Sequence, residues 1–449
     1  MNTAQETRQW FTRTVQEGSD QLPGQTLEWL RNLRGSASQA VETLPVPFRM
    51  QEQWRYTSIA PLVSRHFTPS THDFTGLQEI DLEDLQLPEM DAYRLVFANG
   101  RFIPQLSGLS ALPDGVRMGS LRTALSTDPE RLSAWFGQTV GQEQDIFTAL
   151  NTALINDGML VYLEKGIRLD KPVHIIHVSL ELNEPVIVNA RNLIVMDEGS
   201  GASVIETFVS TGNSVYFNNQ VTEILLHAES KLEHVRLQKE SRQASHLSNV
   251  FISQQQNSQY HGTALAMGAA WGRTNYNVRF RQEGGVCNLH GLYTAGDQQL
   301  IDFHVDVQHA VPNCSSRENF KGLLYGKGRA VFDGRIVVEK QAQKTDAHLS
   351  NSNLMLTRNA EVDTKPQLEI HADDVKCSHG TTVGQLDAEH IFYLRSRGID
   401  YASAQKMLCL GFAEEILDGI QEESFRAYAS RGLQELLSTA VHDTGSTGA

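Results

Sequence analysis

Cysteine and histidine two residues apart, just after an apolar strand, are the side chains in this sequence best placed for metal or sulfur chemistry. They are Cys377 and His379 in Pro366-Gln-Leu-Glu-Ile-His-Ala-Asp-Asp-Val-Lys-Cys-Ser-His-Gly380. A thiolate beside an imidazole suits iron, zinc, copper or a sulfur-transfer step. Leu368 and Ile370 alternate with Glu369 and His371, the two-residue period of a half-buried strand. If extended backbone continues through position 379, the two side chains share a face, roughly 7 Å apart at about 3.3 Å per residue. The pair is too small for a zinc site of its own, which draws at least three ligands from protein. His371 and His348 are the nearby imidazoles that could add to it. The plain alternatives are a small buried thiol for Cys377 and a hydrogen-bonded turn imidazole for His379. Cys287, Cys314 and Cys409 stand in apolar or turn contexts and read as packing residues.

The elements that must position this pair change in texture along the chain. Residues 1–155 read as mainly helical, with apolar residues at helical spacing over Ala4 to Gln16 and Gln25 to Leu44. Pro45-Val-Pro47 stops the second of these helices. The aromatic and charged run from Pro47 to Thr57 reads as a packed turn leading into a helix. Ser126-Thr-Asp-Pro129 predicts a helix start before Leu132, Trp135 and Phe136. From about 156 to 380 the chain is rich in short β-forming runs: Met159 to Leu163, Val173 to Val178, Val186 to Val188, Leu193 to Met196 and Val204 to Val209. A loose repeat runs through this zone, with small residues at Ser230, Ser258, Gly285, Gly328 and Ala360. Strand-rich units recurring about every 28 to 32 residues, with no helices between them, predict a parallel β-helix, a solenoid. The competing antiparallel sandwich would need regular Asn-Gly or Asp-Gly hairpins, which are scarce. Over 381–440 helical periodicity returns, with a stripe at Ala404, Leu408, Phe412, Ile416 and Ile420. The tail 441–449 is small and polar and is expected to be disordered.

Composition narrows the function. The chain has 449 residues, 40% apolar and 20% charged, and a formal net charge of -15. That balance suits a globular protein and disfavours nucleic acid or an anionic membrane as a main partner. The first residues lack the apolar core of a signal peptide, and no run of about 18 apolar residues occurs. Four cysteines do not make a disulfide framework in a chain of this length, so a soluble protein of a reducing cytoplasm is expected. The sequence contains no Gly-x-x-x-x-Gly-Lys-Ser/Thr loop, no Gly-x-Ser-x-Gly elbow, no His-Glu-x-x-His pair and no Cys-x-x-Cys.

Lys365-Pro-Gln-Leu-Glu-Ile-His-Ala-Asp-Asp-Val-Lys-Cys-Ser-His-Gly-Thr-Thr-Val-Gly384 resembles the hallmark stretch of the SufB/SufD family of iron–sulfur cluster assembly proteins. The resemblance extends to Asp346-Ala-His-Leu-Ser-Asn-Ser-Asn-Leu-Met-Leu356, to Phe392-Tyr-Leu-Arg-Ser-Arg-Gly398 and to Glu52-Gln-Trp-Arg-Tyr-Thr57. It covers roughly residues 45 to 430 and is greater to the SufD branch, which has a helical N-terminal region and one cysteine beside the histidine of this motif. It implies a right-handed parallel β-helix core with helical regions at both ends. It further implies a scaffold subunit, not itself an enzyme, that pairs with a SufB-like paralogue through the β-helix and can form a homodimer when alone. The C-terminal helices would bind SufC, an ABC-type ATPase, with Tyr393, Arg395, Arg397, Leu408, Phe412 and Ile416 as candidate contacts. The family's functional histidine corresponds to His379, the stronger metal candidate, and its neighbouring cysteine to Cys377.

On that resemblance no cofactor is held permanently. Iron or a nascent cluster is bound transiently and shared with SufB, and ATP enters only through SufC. Two other readings stand beside it. In one, the chain is a structural adaptor and Cys377 and His379 are packing residues. In the other it is a β-helix polysaccharide lyase or hydrolase, a fold-level analogy that needs clustered carboxylates or a basic residue in a groove.

Overall fold

One column of apolar side chains runs the length of the protein. Val161, Ile194, Ile224, Ile252, Val278, Val307, Ile336 and Leu368 stand in register on successive parallel strands. The first seven are buried and Leu368 is half-buried. β-branched side chains pack well on a pleated surface, and each buried aliphatic contributes roughly 1.5–3 kcal/mol relative to exposure. Such columns are what a solenoid sequence encodes.

The structure, a computed structural model, describes residues 2–20, 22–70, 85, 87–109, 112–140 and 145–445. The chain winds alternately through two mainly parallel sheets, making a β-solenoid of about 8 turns with helices at both ends of the sequence, as expected. One sheet ends at the strand Glu361–Ile370 and the other at Lys376–Gly384. Five successive corners entering the second sheet share a device: a residue of positive φ, then a small or compact one. Glu229 (φ 60), Asn257 (φ 54), Gly284 (φ 76), Asn313 (φ 60) and Lys344 (φ 61) precede Ser230, Ser258, Gly285, Cys314 and Thr345. The hydroxyls of Ser230 and Ser258 close their corners by donating to the carbonyls of His227 and Gln255, at 2.7 and 2.8 Å. Gly328 and Ala360 lie at the other row of corners, entering the first sheet. The sequence repeat therefore mixed two rows, which explains its long gap between Gly285 and Gly328.

The N-terminal region is helical only in part. Helices Asn2–Gly18, Glu28–Thr43 and Ile146–Ala153 enclose Trp10, Phe11 and Phe147, but Tyr93–Ala98 and Val116–Ser120 extend the two sheets. The run 47–57 lies along the first sheet. The Arg273 guanidinium sits 3.9 Å from the centre of the Trp54 ring and donates to the Gln53 carbonyl at 2.8 Å.

The C-terminal helices Ala388–Ser396, Tyr401–Leu417 and Glu423–Gly445 follow the last strand. The second and third pack on the outer side of the second sheet, where Cys409, Ala413, Ile416 and Leu433 meet Val235, Leu265, Leu292 and Leu323. They thus cover a face of the solenoid and leave its last turn open. The helix through Gly445 also takes in 441–445, where a disordered tail was expected; 446–449 lie outside the described residues.

Candidate functional site

Cys377 and His379 both lie on Lys376–Gly384, the last strand of the second sheet. Their register partners on the neighbouring strand are Ala347 and Leu349, which point into the solenoid. The two-residue period therefore puts both on the inward-pointing face, as the spacing predicts. Among the described residues no further turn covers that face. Every residue of the strand is exposed except Cys377, which is half-buried against the core. A Cβ added at Gly380 or Gly384 would meet nothing within 4 Å. Val383 (53% exposed) and Ile370 (42%) complete an apolar edge. Two parallel strands with unsatisfied outer edges make a template for another chain.

Burial raises the Cys377 thiol above its usual value; the Ala347 backbone offsets part of this and Asp346 adds to it. The group is thus a thiol at neutral pH, and binding metal as thiolate requires loss of that proton. His348 lies on the opposite face of the sheet. Its ring nitrogens contact Ser378 Oγ at 2.5 Å and Asp346 Oδ1 at 2.8 Å, which pins the terminal strand from outside. His371 is exposed in the corner between the last two strands. The two imidazoles considered as extra ligands therefore do not join the pair. Among the described residues no three His, Cys, Asp or Glu side chains are grouped to hold a metal ion.

The candidate docking residues divide. On Ala388–Ser396 only Ile391 is buried. Phe392 (75% exposed) and Tyr393 (55%) face out, with the Arg397 guanidinium 5.0 Å from the Tyr393 ring centre and Arg395 also exposed. Phe392 was missed among the candidates, although it begins the Phe392–Gly398 stretch. Leu408 and Phe412 are half-buried, and Lys321 Nζ sits 4.9 Å from the Phe412 ring centre. Ile416 is fully buried against the solenoid and is a packing residue, which corrects its place among the candidates. The stripe spaced by fours drifts about 40° per step around a helix of 3.6 residues per turn. The face that is buried runs instead through Ala404, Gln405, Cys409, Ala413, Ile416 and Leu417.

A parallel two-sheet solenoid, open at its last turn and carrying a Cys-x-His pair there, matches one family across most of its length. Residues 179–412 match the family described as SUF system FeS cluster assembly, SufBD core domain, and residues 5–175 match the SufBD protein N-terminal region. The chain belongs to the SufBD family of iron–sulfur cluster assembly proteins. Within the family it is SufD-like: it is 30% identical over 427 residues to the iron–sulfur cluster assembly protein SufD of Escherichia coli, covering 95% of each chain. It is also 32% identical over 400 residues to a SufBD family protein of Synechocystis, covering 87% of each. With a chloroplastic protein of Arabidopsis thaliana it shares 29% identity, over 91% of this chain and 86% of that one. No helix among the described residues is long and apolar enough to cross a membrane.

Proposed function

We propose that this chain is the SufD-like half of an iron–sulfur cluster assembly scaffold. It pairs with a SufB-like paralogue through the last turn of its solenoid and contributes His379 to a site shared across that junction. The observation that carries this reading is the terminal strand, with two donors on one open face and, among the described residues, no third grouped with them. Iron or the nascent cluster is cargo, completed by ligands from the paralogue, and no cofactor stays on this chain. Cys377, partly packed and held as a thiol, is the secondary donor. When the paralogue is absent, the same edge serves a homodimer.

The exposed side of Ala388–Ser396, with Phe392, Tyr393, Arg395 and Arg397, fits the SufC-like ATPase, with Leu408 and Phe412 at its margin. ATP turnover belongs to that subunit, and this chain is not itself an enzyme. A reducing cytoplasm suits its four unpaired cysteines. The half-buried state of Cys377 also fits the adaptor reading, in which the pair has no metal role. The family match favours the scaffold over a polysaccharide enzyme.

The test is reconstitution with the SufB-like and SufC-like subunits under ATP, read by cluster absorption. His379→Ala should leave the complex assembled and abolish cluster formation. Full cluster formation in that variant would remove His379 from the site and favour the adaptor.

A further inference from the structure

Between Val46 and Trp54 the chain leaves the N-terminal core and comes back to it. Both residues are buried in the cluster that holds Phe11 and Phe147. Glu52, between them, forms an ion pair with Lys365, on the last strand of the first sheet. The excursion therefore reaches the open end of the solenoid. Leu368 points inward, so the two-residue period puts Lys365 on the outer face of that sheet. Lys365 Nζ also lies 3.6 Å from Asp333 on the preceding strand. The returning limb is fixed one strand after another. Arg273 lies against the Trp54 ring, Thr57 Oγ1 donates to Asp302 Oδ2 at 2.5 Å, and Trp271 Nε1 donates to the Ser58 carbonyl at 2.9 Å. On the outgoing limb Pro47 is buried, and the Gln51 N–H donates to the Phe48 carbonyl at 2.9 Å, which closes a turn around Arg49 and Met50.

This anchored turn holds apolar side chains in water. Met50 is 89% exposed and Phe48 49%. Among the described residues the exposed large apolar side chains fall into three groups. Ile370 and Val383 lie on the last two strands, and Phe392, Tyr393, Tyr401 and Met407 lie on the C-terminal helices. Phe48 and Met50 are the third group. Met50 is two residues from Glu52, at most about 7 Å of backbone, so this group adjoins the first at the edge of Glu361–Ile370. Exposed apolar side chains that adjoin one another mark an interaction surface. A strand added to that edge would run about 4.8 Å beyond it, alongside the turn. Pairing at a strand edge draws its affinity from the backbone, and side-chain contacts give it selectivity.

We propose that the turn 48–51 is a clasp for the SufB-like paralogue. Phe48 and Met50 pack on the outer face of the strand that the paralogue adds to Glu361–Ile370, and they select that partner where the backbone edge alone would accept any strand. The clasp rests on the reading that places the junction at the last turn.

The test is calorimetric titration of the full chain with the SufB-like paralogue. Phe48→Ser combined with Met50→Ser should weaken pairing by about tenfold or more. Both side chains are exposed, so the circular dichroism of the isolated chain should stay as it is. Val383→Lys, which puts a charge on the terminal edge, tests the underlying reading and should weaken pairing as well. Lys165→Gln, at an exposed ion pair with Glu198, should pair as the parent does. Affinity kept in the double variant but lost in Val383→Lys overturns the clasp and leaves the junction in place. Affinity kept in both overturns the clasp together with the reading it rests on. Loss in the double variant alone overturns the placement of the clasp beside the last turn.

Discussion

The strand Tyr216–Leu226, in the middle of the solenoid, and the terminal strand Lys376–Gly384 obey the same geometry and meet opposite surroundings. Every residue of the first is buried; every residue of the second but Cys377 is exposed. The central strand has parallel neighbours on both sides, Arg191–Met196 and Ser245–Gln254, and the helix Ile146–Ala153 against it. The terminal strand has one neighbour. Polar groups follow the same division. In the centre, Glu206 is enclosed by His177 at 3.0 Å, His234 at 2.8 Å and Arg236 at 3.1 Å. At the end, His379 has open surroundings. A solenoid's stability is approximately a sum of repeat and neighbour terms. Polar groups inside it are therefore held by structure, whereas those on its last turn are available to whatever completes the next one.

The largest test of this contrast is Glu206→Ala. Burial opposes the charge of that carboxyl, but Arg236 and the two imidazoles hold it well below its usual 4.5. Its contribution is present above about pH 4.5 and is lost as pH falls through the lower folded value. Removing it strands buried cationic and polar groups and should cost about 3–5 kcal/mol in chemical denaturation at pH 7. A loss under about 1 kcal/mol would mean that the central turns do not depend on their ionic pairing.

Glu318 is the exception within the buried turns. Its carboxyl oxygens lack hydrogen bonds of normal geometry. Burial pushes it up to about 8, with Ser316 and Arg317 offsetting only part. The folded chain therefore keeps this proton where the unfolded chain has lost it. The contribution of this one carboxyl to stability is full below about pH 4.5 and is lost as pH rises through about 8. Glu318→Gln should flatten that dependence and raise stability at high pH by up to about 4 kcal/mol, read as denaturation midpoints from pH 5 to pH 9. An unchanged slope would show that the carboxyl finds a partner in solution.

Much of this was legible in the sequence because strands repeat every two residues and β-branched side chains stack. Met159–Leu163 and Val186–Val188 are observed at the bounds expected, and the shared face of Cys377 and His379 follows from the same period. What was not legible depends on what is absent or distant. The inward register of His379 combined with its exposure follows from the lack of a next turn, which no local pattern encodes. The buried face of Tyr401–Leu417 was misplaced because a four-residue spacing drifts from the true helical period.

Cysteine reactivity probes the same boundary at smaller energy. Cys287, Cys314 and Cys409 are buried and Cys377 is half-buried. Cys377 should be alkylated first in the isolated chain, slowly at pH 7 because burial raises its thiol. Its rate should climb about tenfold per pH unit toward pH 9. Mass spectrometry after timed alkylation reads this directly, and a buried cysteine reacting as fast would place the loosest part of the fold elsewhere. Binding of the paralogue should then slow Cys377 and leave the other three unchanged.

The finest comparison lies within one column. His379, Leu349, Glu318, Leu289, Gly262 and His234 stand in register on successive strands. Two histidines thus occupy equivalent positions five turns apart. His234 is buried between Glu206 at 2.8 Å and the Tyr260 hydroxyl at 3.1 Å, whereas His379 is exposed. His234→Ala leaves the Glu206 carboxylate short of a partner and should cost about 1–3 kcal/mol. His379→Ala should change the stability of the isolated chain by less than about 0.5 kcal/mol. Equal losses in denaturation would mean that His379 belongs to the folded core after all, and its effect on cluster formation would then need no role at the junction. A loss at His234 alone leaves His379 as a side chain that the fold positions without using, which is what a residue contributed to a shared site should be.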